Sequence, residues 1–325
     1  MRRREFIAIF GGAAAWPLAA RAQQPTLPVI GFLNNGVSDA YAANVAAFRE
    51  GLRENGYVEG RDAVIDFRWA EGAYDRLPAL AADLVNRHVA VIAASATSAA
   101  VAAKAATSTI PIVFAISGDP VKLGLISSVP RPGGNATGIN FFTIAVGQKR
   151  LGLLHELVPK AAEIGFLENP GSPNEARGLE DAQAAAEQLG YKLVVVKAST
   201  VNEIDAAFAT LVQAKVGGLL VSPDGFFTGR RVQITTLAAR HAIPAIYPGR
   251  DFAAAGGLIS YASRISDSYR DMGVYVARVL KGAKPPDLPV LEPTKLELVI
   301  NRSTAKVLGL DIPPGVLAIA DEVIE

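Results

Sequence analysis

Two consecutive series of alternating strand and helix patterns constrain the fold of this chain more than any other feature. From Pro28 onward, short runs rich in β-branched residues alternate with alanine-rich amphipathic stretches, as in βαβ units on a parallel sheet. In the first series we predict strands at 29–33, 63–69, 89–94, 112–116 and 137–142 and helices at 40–55, 76–87, 99–106 and 121–128. In the second we predict helices at 146–157, 174–189, 204–213 and 231–240 and strands at 163–167, 192–197, 218–221 and 245–247. The sequence therefore predicts two doubly wound α/β lobes with parallel sheets rather than one continuous sheet.

The segment after Gly257 is too short to form a third domain. It contains two strand patterns, at 258–261 and 296–300, and one long helix pattern, at 267–281. We expect these elements to return to the two lobes and to form a hinge of several segments, with crossings near Phe142, Gly257 and Pro289. The resulting boundaries are 27–142 plus 258–288 for lobe 1 and 143–257 plus 289–325 for lobe 2. Such a hinge favours bending of two rigid lobes.

The first 24 residues have the features of an export signal. Arginines at 2–4 form a basic n-region, residues 6–18 form a short apolar h-region, and 20–22 offers small residues at the positions that signal peptidase reads. The order R-R-x-F-hydrophobic is also that of a twin-arginine signal. A membrane anchor is the alternative, but the apolar run is shorter than the roughly 20 residues of a span. We expect a signal at 1–22, cleavage after Ala22 and a mature protein in the periplasm.

Composition narrows the classes of partner. The predicted leader holds four arginines and one glutamate, a net of +3, so subtracting it from the chain's formal +1 leaves about −2. A mature chain with this balance is not expected to bind nucleic acid or an anionic membrane surface, since both select for basic patches. The absence of cysteine excludes disulfides, thiolate zinc sites and a cysteine nucleophile.

Polar residues directly after the predicted strands are the candidate binding residues. In an open parallel sheet, ligands bind beyond the carboxyl ends of the strands, and with two lobes those ends would face each other across a cleft. The candidates in the first series are Asn34, Asn35, Ser38, Ser95, Ala96, Thr97, Ser117 and Asp119, and in the second Asn169, Ser222, Asp224, Tyr247 and Arg250.

Each candidate in the first series has two interpretations. The stretch 95–98 holds three hydroxyls before a helix, which either cap that helix or, with its free N–H groups, form a seat for a carboxylate. Asn34 and Asn35 either bind a polar ligand or form a turn. Asp119 precedes a proline and fits a helix N-cap as well as a ligand contact.

The second series offers charged and aromatic candidates. Asp224 either balances the charge of a ligand ammonium group or forms a turn. Arg250 has the chemistry for bidentate pairing with a carboxylate. Phe226 and Phe227 either pack on an apolar ligand side chain or belong to the core.

Recognisable catalytic motifs are missing. The sequence contains no G-x-S-x-G, P-loop, G-x-G-x-x-G or H-E-x-x-H pattern. His88, His155 and His241 lie near predicted helix ends, where surface or helix-dipole roles are expected, and His155-Glu156 lacks a second ligand at metal spacing. We therefore expect no catalytic residues, no metal site and no cofactor.

Several segments resemble the ABC-transporter substrate-binding proteins of the tryptophan/tyrosine type, which have a type I periplasmic-binding fold. They include PVIGFL, AAVAAKAATSTIPIVFAISGDPVKLGL, PRPGGNATGIN, LLVSPDGFF, LAARHAIPAIYPGRDFAAAGGLISYA and the tail VLKGAKPPDLPVLEPTKLELVINRSTAKVLGLDIPP. The resemblance implies a receptor that closes on a small ligand in the interlobe cleft and delivers it to a permease with an ATPase in the inner membrane. Many relatives carry a lipoprotein cysteine, and this chain has a twin-arginine-like leader instead, which favours a soluble periplasmic protein. We expect the mature protein to be a monomer.

The expected ligand is a small carboxylate-bearing molecule, an amino acid or an aromatic relative. An exported enzyme or a sensory ligand-binding module on the same fold is the alternative, because a fold does not dictate a function.

Overall fold

The first lobe is built on a five-stranded parallel sheet. The computed structural model describes residues 27–141, 146–293 and 295–325, so the expected signal at 1–22 and the expected crossing at Phe142 lie outside the described residues. The strand order is β2-β1-β3-β4-β5. The strands are β1 (Val29–Asn34), β2 (Val64–Trp69), β3 (Val91–Ser95), β4 (Ile112–Ile116) and β5 (Ala136–Asn140).

Helices cover both faces of this sheet. On one face lie α1 (Ala42–Glu54) and α10 (Ile265–Leu280), and on the other lie α2 (Leu77–Asn86) and α3 (Thr97–Ala106). The central strands β3 and β4 are buried along their whole length. Such uniformly apolar strands are typical of a parallel sheet that is covered on both sides.

The second lobe is built on a seven-stranded sheet in the order β12-β11-β10-β9-β8-β6-β7. Its strands are β6 (Glu163–Glu168), β7 (Lys192–Lys197), β8 (Gly218–Val221), β9 (Ala245–Tyr247), β10 (Ile259–Ser263), β11 (Leu296–Asn301) and β12 (Glu322–Ile324). All neighbouring pairs are parallel except β10 and β11. β11 runs the other way because the chain re-enters this lobe from the hinge, where the parallel strands end.

Eight helices lie in the described part of the second lobe. They are α4 (Gly147–Leu157), α5 (Glu175–Gln188), α6 (Val201–Gln213), α7 (Gly225–Gly229), α8 (Arg231–Arg240), α9 (Arg250–Ala254), α11 (Arg302–Val307) and α12 (Pro314–Ala318). Those on one face pack with the core around Phe208 and Phe227, and those on the other with the core around Leu154 and Ile300. None of the helices in the described ranges combines the length and the apolar character that a membrane span requires.

The chain passes between the two lobes three times. It leaves the first sheet after β5, returns after β10 at Arg264, and leaves again between Leu291 and β11. The two lobes and the several-segment hinge predicted from the sequence are confirmed.

Two expected lobe boundaries are wrong by a few residues. β10 belongs to the second sheet, where Ile259 pairs with Ile246, so the return to lobe 1 begins after residue 263 and not at 258. Leu291 still bridges to Ile139 of the first sheet, so lobe 2 does not resume at 289. A buried strand completes its pairing before the chain leaves the sheet, because unpaired backbone groups are expensive to bury.

The helix predicted at 121–128 is also wrong. The segment forms a single turn, in which the N–H of Leu123 donates to the carbonyl of Asp119, and Gly124 then adopts a positive φ of 69°. That left-handed conformation ends the helical path after one turn, and only glycine adopts it without strain.

Candidate functional site

The carboxyl ends of the two sheets face each other across one cavity of about 80 Å³. This is several times the roughly 10–15 Å³ that a single water requires. Lobe 1 contributes Asn35, Tyr41, Asn44, Tyr74, Ala96, Thr97, Ser98, Ser117, Phe141, Ile265 and Tyr269, and lobe 2 contributes Ser172, Pro173, Asn174, Pro223, Asp224, Gly225, Thr228, Pro248, Gly249, Asp251 and Phe252. The cavity therefore depends on both lobes for its walls.

A buried hydrogen-bond network supports the lobe 1 wall. Asn34 Nδ2 donates to Ser95 Oγ at 2.7 Å, and Ser95 Oγ is hydrogen-bonded to the Tyr269 hydroxyl. Asn34 Oδ1 accepts from the N–H of Gly36 at 2.6 Å. The three side chains join β1, β3 and α10, so this network fixes the position of Tyr269 in the cavity wall.

The N-terminus of α3 opens into the same wall. Helix α3 has no side-chain N-cap, and Ala96 before it has φ 88° and ψ 151°. The N–H groups of residues 97–99 have no hydrogen-bond acceptor among the described residues. Because a non-glycine residue in this backbone region is strained by about 1–3 kcal/mol, the conformation at Ala96 requires support from the surrounding structure. The arrangement favours the carboxylate seat over the plain N-cap, since free N–H groups at a helix start bind anions.

Asp224 occupies the lobe 2 wall as the N-cap of the short helix α7. Its Oδ1 accepts from the N–H groups of Phe226 at 3.0 Å and Phe227 at 3.4 Å and from Asn169 Nδ2 at 3.0 Å. Its Oδ2 accepts from the Tyr74 hydroxyl at 2.7 Å. Burial raises the pKa of Asp224 above its ordinary value, and these four donors oppose that rise.

Direct hydrogen bonds connect the two lobes on either side of the cavity. On one side the Tyr74 hydroxyl donates to Asp224 of the other lobe. On the other side Asn174 Nδ2 donates to Thr97 Oγ1 at 3.1 Å and to Ser117 Oγ at 3.3 Å. These bridges show that the structure is in a closed arrangement, because the bonds break when the lobes separate.

Glycine permits the closest approach of the lobes at two points. A Cβ on Gly225 would lie 2.1 Å from Asn35 Oδ1 of the opposite lobe, and a Cβ on Gly118 would lie 2.4 Å from Asn174 Oδ1. Both positions follow predicted strands at the cleft edge. Closure to this degree therefore requires glycine, or a residue shift, at both points.

The structure brings eight of the thirteen predicted site residues together at the cavity. Asn35, Ala96, Thr97, Ser117 and Asp224 line it, while Asn34, Ser95 and Asn169 lie directly behind the lining and orient it. Asn34 and Ser95 are fully buried and bond to each other, so they support the wall instead of facing a ligand.

The other five predicted residues lie outside the cavity lining. The Ser38 hydroxyl is exposed and bonds only to Asp39, and Asp119 caps the turn after β4 through the N–H groups of Val121 and Lys122. Arg250 points outward to Glu322, with Nε–Oε2 at 2.7 Å.

The remaining two are Tyr247 and Ser222. Tyr247, the last residue of β9, is buried and stacks on Phe252 with 5.1 Å between ring centroids, because both faces of β9 are covered by core residues. Ser222 lines a small separate cavity with Arg150. Phe226 and Phe227 are buried in the core of lobe 2, as the second of their two interpretations predicts.

Sequence reasoning missed several lining residues. Tyr269 lies on α10, far from any strand end, and Tyr74 lies in a short helical turn at 74–76 after β2. Asp251 lies in the first turn of the five-residue helix α9, which is too short for a periodic signal. Asn174 was missed because it does not directly follow β6, which ends at Glu168, and the sequence placed it at the start of a helix.

Two similar proteins are known to bind aromatic amino acids. The chain is 29% identical to a tyrosine-binding protein of Clostridioides difficile over 81% of this chain and 75% of that protein. It is 28% identical to an ABC domain of Streptococcus pneumoniae solved in complex with L-Trp, with a TM-score of 0.84 over 92% of this chain and all of that one.

A substrate-binding protein with adhesive properties from Clostridium difficile was solved in a ligand-free, open state. It is 25% identical, covers 92% of this chain and 99% of its own, and gives a TM-score of 0.63. Since identity and coverage are close to those of the L-Trp complex, the lower score is consistent with a different arrangement of the lobes. The lobes of this chain are arranged more like those of the complex.

Two α/β lobes that share a hinge of three segments and enclose a cavity define a binding protein of the type I periplasmic-binding fold. The family model for ABC transporter substrate binding proteins matches residues 29–324. The chain belongs to that family, and the resemblance to its tryptophan/tyrosine type is confirmed.

Proposed function

We propose that this chain is the receptor of an ABC importer for an aromatic amino acid. The proposal rests on the lining of the cavity, which has free helix N–H groups on one wall, carboxylates on the other and aromatic rings between them. The names of the tyrosine-binding relative and the L-Trp complex support the choice of ligand. The receptor would act in the periplasm and deliver its ligand to a permease with an ATPase.

The carboxylate of the ligand would bind at the start of α3. Three N–H groups are available there, and Thr97 and Ser117 add hydroxyls beside them. Hydrogen bonds to a charged group contribute about 1.5–3 kcal/mol each. The aromatic side chain would pack against rings from both lobes, among them Tyr41 and Phe252.

Ligand binding would favour the closed arrangement because only that arrangement offers both walls at once. A ligand shifts a conformational equilibrium only through its higher affinity for one state. The Tyr74–Asp224 and Asn174–Thr97 hydrogen bonds are present in the same closed arrangement and would stabilise it further.

Thermal unfolding of the purified protein in the presence of L-tyrosine or L-tryptophan tests the ligand class, with L-leucine and L-aspartate as controls. At 100 times the dissociation constant, a ligand stabilises the folded state by about 2.7 kcal/mol. We expect the aromatic amino acids to raise the melting temperature by several degrees. A protein that no amino acid stabilises would contradict the proposal.

Uptake measurements test the importer role against the two alternatives. Deletion of the gene should abolish uptake of the radiolabelled ligand, and the ligand should be recovered unchanged after incubation with the protein. Turnover of the ligand would favour an exported enzyme. Normal uptake with a lost transcriptional response would favour a sensory module.

N-terminal sequencing of the protein recovered from the periplasm tests the predicted cleavage site, and the sequence should begin at Gln23.

A further inference from the structure

The charged groups of the cavity are all acidic. Asp224 and Asp251 line it, the other titratable lining residues are tyrosines, and no lysine, arginine or histidine is among the described residues that line it. A ligand with only a negative charge would enter a cavity of its own sign and lose its hydration there. Burial of an unpaired charge is strongly unfavourable.

Asp224 is already supplied with hydrogen-bond donors by the protein. One of its oxygens accepts three bonds and the other accepts the Tyr74 hydroxyl. A carboxylate offers about four acceptor sites. Its position is fixed by capping α7 and by bridging the lobes, which accounts for the charge without a ligand.

Asp251 differs from Asp224 in this respect. It lies in the first turn of α9, it lines the cavity, and its carboxylate has no hydrogen bond or ion pair with any of the described residues. The neighbouring Arg250 is directed away from it to Glu322. The charge of Asp251 adds to the effect of burial in raising the pKa of the Tyr269 phenol, which places that charge near the lobe 1 wall as well.

A second acceptor in the cavity wall also lacks a donor. Asn35 is 3% exposed, its Nδ2 donates to Ser98 Oγ at 3.0 Å, and its Oδ1 is buried with no hydrogen-bond partner in the described part of the chain. Gly225 is the residue that approaches this oxygen from the other lobe, and it offers no side-chain donor. Buried polar atoms are rarely left unpaired in native proteins.

We propose that Asp251 binds a cationic nitrogen of the ligand, and that the receptor therefore selects molecules with an amino group over the corresponding carboxylic acids. The inference rests on the proposed function and assigns the ammonium group of the amino acid to Asp251 instead of Asp224. An ammonium group carries three N–H donors, which suits a wall with an unpaired carboxylate. Asn35 Oδ1 is an additional acceptor for a donor on the ligand.

The test compares two changes, one in the ligand and one in the protein. Calorimetry measures the binding of L-tyrosine, of 3-(4-hydroxyphenyl)propionate, which lacks the amine, and of tyramine, which lacks the carboxylate. Each is titrated into the wild-type protein, Asp251→Asn and Asp267→Asn. Asp267 is a matched control because it also lies in the first turn of a helix, is exposed and does not line the cavity.

Asp251 is only partly buried. We expect Asp251→Asn to weaken L-tyrosine binding by about 10-fold or more, as the loss of a hydrogen bond between charged groups does. The same substitution should leave the weak binding of the propionate unchanged or improve it, since a repelling charge is removed. Asp267→Asn should match the wild type for all three ligands. The tryptophan series, with indole-3-propionate and tryptamine, should give the same pattern.

The outcomes separate the inference from the proposed function. If L-tyrosine or L-tryptophan binds wild type and Asp251→Asn equally, or if the amine-free acid binds as tightly as the amino acid, the inference is wrong and the receptor role stands. If the substitution weakens the amino acid and the amine-free acid by the same factor, Asp251 acts structurally and the inference is also wrong. If only tyramine binds, and loses affinity in Asp251→Asn, the inference holds while the amino-acid function fails. If neither amino acid series binds the wild type, both are overturned.

Discussion

The two walls of the cavity differ in the sign of charge that they accept. The lobe 1 wall presents free N–H groups at the start of α3 and a neutral network of Asn34, Ser95 and Tyr269. The lobe 2 wall presents Asp224 and Asp251. One lobe is therefore suited to an anion and the other to a cation.

Because of this difference, closure can depend on the charges of the ligand. A molecule with one charge interacts favourably with one lobe alone, so it does not stabilise the closed arrangement. An amino acid has both charges a few ångströms apart, so it interacts with both walls only in the closed arrangement. Selectivity and closure would then have the same physical origin.

The largest effect is expected from changing the anion-accepting wall. Thr97→Pro removes one N–H donor and a hydroxyl, yet proline is tolerated at the first position of a helix. Thr97→Val removes the hydroxyl alone. We expect Thr97→Pro to weaken amino acid binding by roughly 10- to 150-fold, since hydrogen bonds to charged groups contribute about 1.5–3 kcal/mol, and Thr97→Val to weaken it less. Equal calorimetric affinities for the two variants would show that the helix start is not the carboxylate seat.

A somewhat smaller effect should follow from holding the walls apart. In Gly225→Ala the new Cβ would lie 2.1 Å from Asn35 Oδ1, so the lobes must separate slightly or Asn35 must move. Overpacking of this kind costs about 1–3 kcal/mol, which corresponds to affinity lower by roughly 5- to 150-fold. Small-angle scattering with saturating ligand should show a larger radius of gyration than in the wild type.

Gly229→Ala is the control for that substitution. Its Cβ would meet Val37 of the opposite lobe at 3.6 Å, an ordinary contact. We expect the wild-type affinity and radius from this variant. If both alanine variants bind alike, close approach at Gly225 does not limit closure.

A moderate effect is expected from removing one bridge between the walls. Tyr74→Phe deletes the hydroxyl that donates to Asp224 Oδ2 at 2.7 Å and leaves the ring in place. The loss of a hydrogen bond of this kind corresponds to about 0.5–1.5 kcal/mol, so affinity should fall by roughly 2- to 10-fold. Because that bond lowers the pKa of Asp224, its removal should raise that pKa further. As the pH is lowered, binding should therefore begin to weaken at a higher pH than in the wild type, and an unchanged profile would contradict the bridge.

The smallest effect is expected at Arg250, which the sequence placed at the ligand and the structure places outside the cavity lining. Its ion pair with Glu322 is partly exposed, with side-chain exposures of 43% and 36%. Surface pairs contribute about 0–1 kcal/mol. Arg250→Ala should therefore keep the ligand affinity within a factor of two and change the melting temperature slightly. A large loss of binding would restore Arg250 as a carboxylate ligand.

Local sequence patterns predicted most of the scaffold. The bounds of β4, β7, β8, β9 and α8 agree with the predicted ranges to the residue. Three of the strands, β4, β8 and β9, are short apolar runs that are buried along their whole length, and the length and composition of such runs mark them as strands. The short helices α7 and α9 left no such signal, because five residues complete little more than one turn.

The candidate site was predicted in part, and the reason differs from one residue to the next. Asp224 and Thr97 were found because each directly follows a strand end in the chain. Tyr269 was missed because it reaches the cavity from a helix that has crossed back from the other lobe. Tyr247 ends its strand as the rule requires and still enters the core, because core residues cover both faces of β9.

The sequence by itself determined two α/β lobes, the edge at which their strands end, and the polar stretch at the start of α3. Only the tertiary structure decided which acidic side chain is satisfied by the protein and which is left unpaired. Periodicity and strand-end position are local properties of the chain, whereas the donors around Asp224 are set by tertiary contacts: Asn169 and α7 are brought to it by the folding of lobe 2, and Tyr74 is added only when the lobes close. The electrostatic difference between Asp224 and Asp251 therefore arises from long-range contacts that a single sequence does not record.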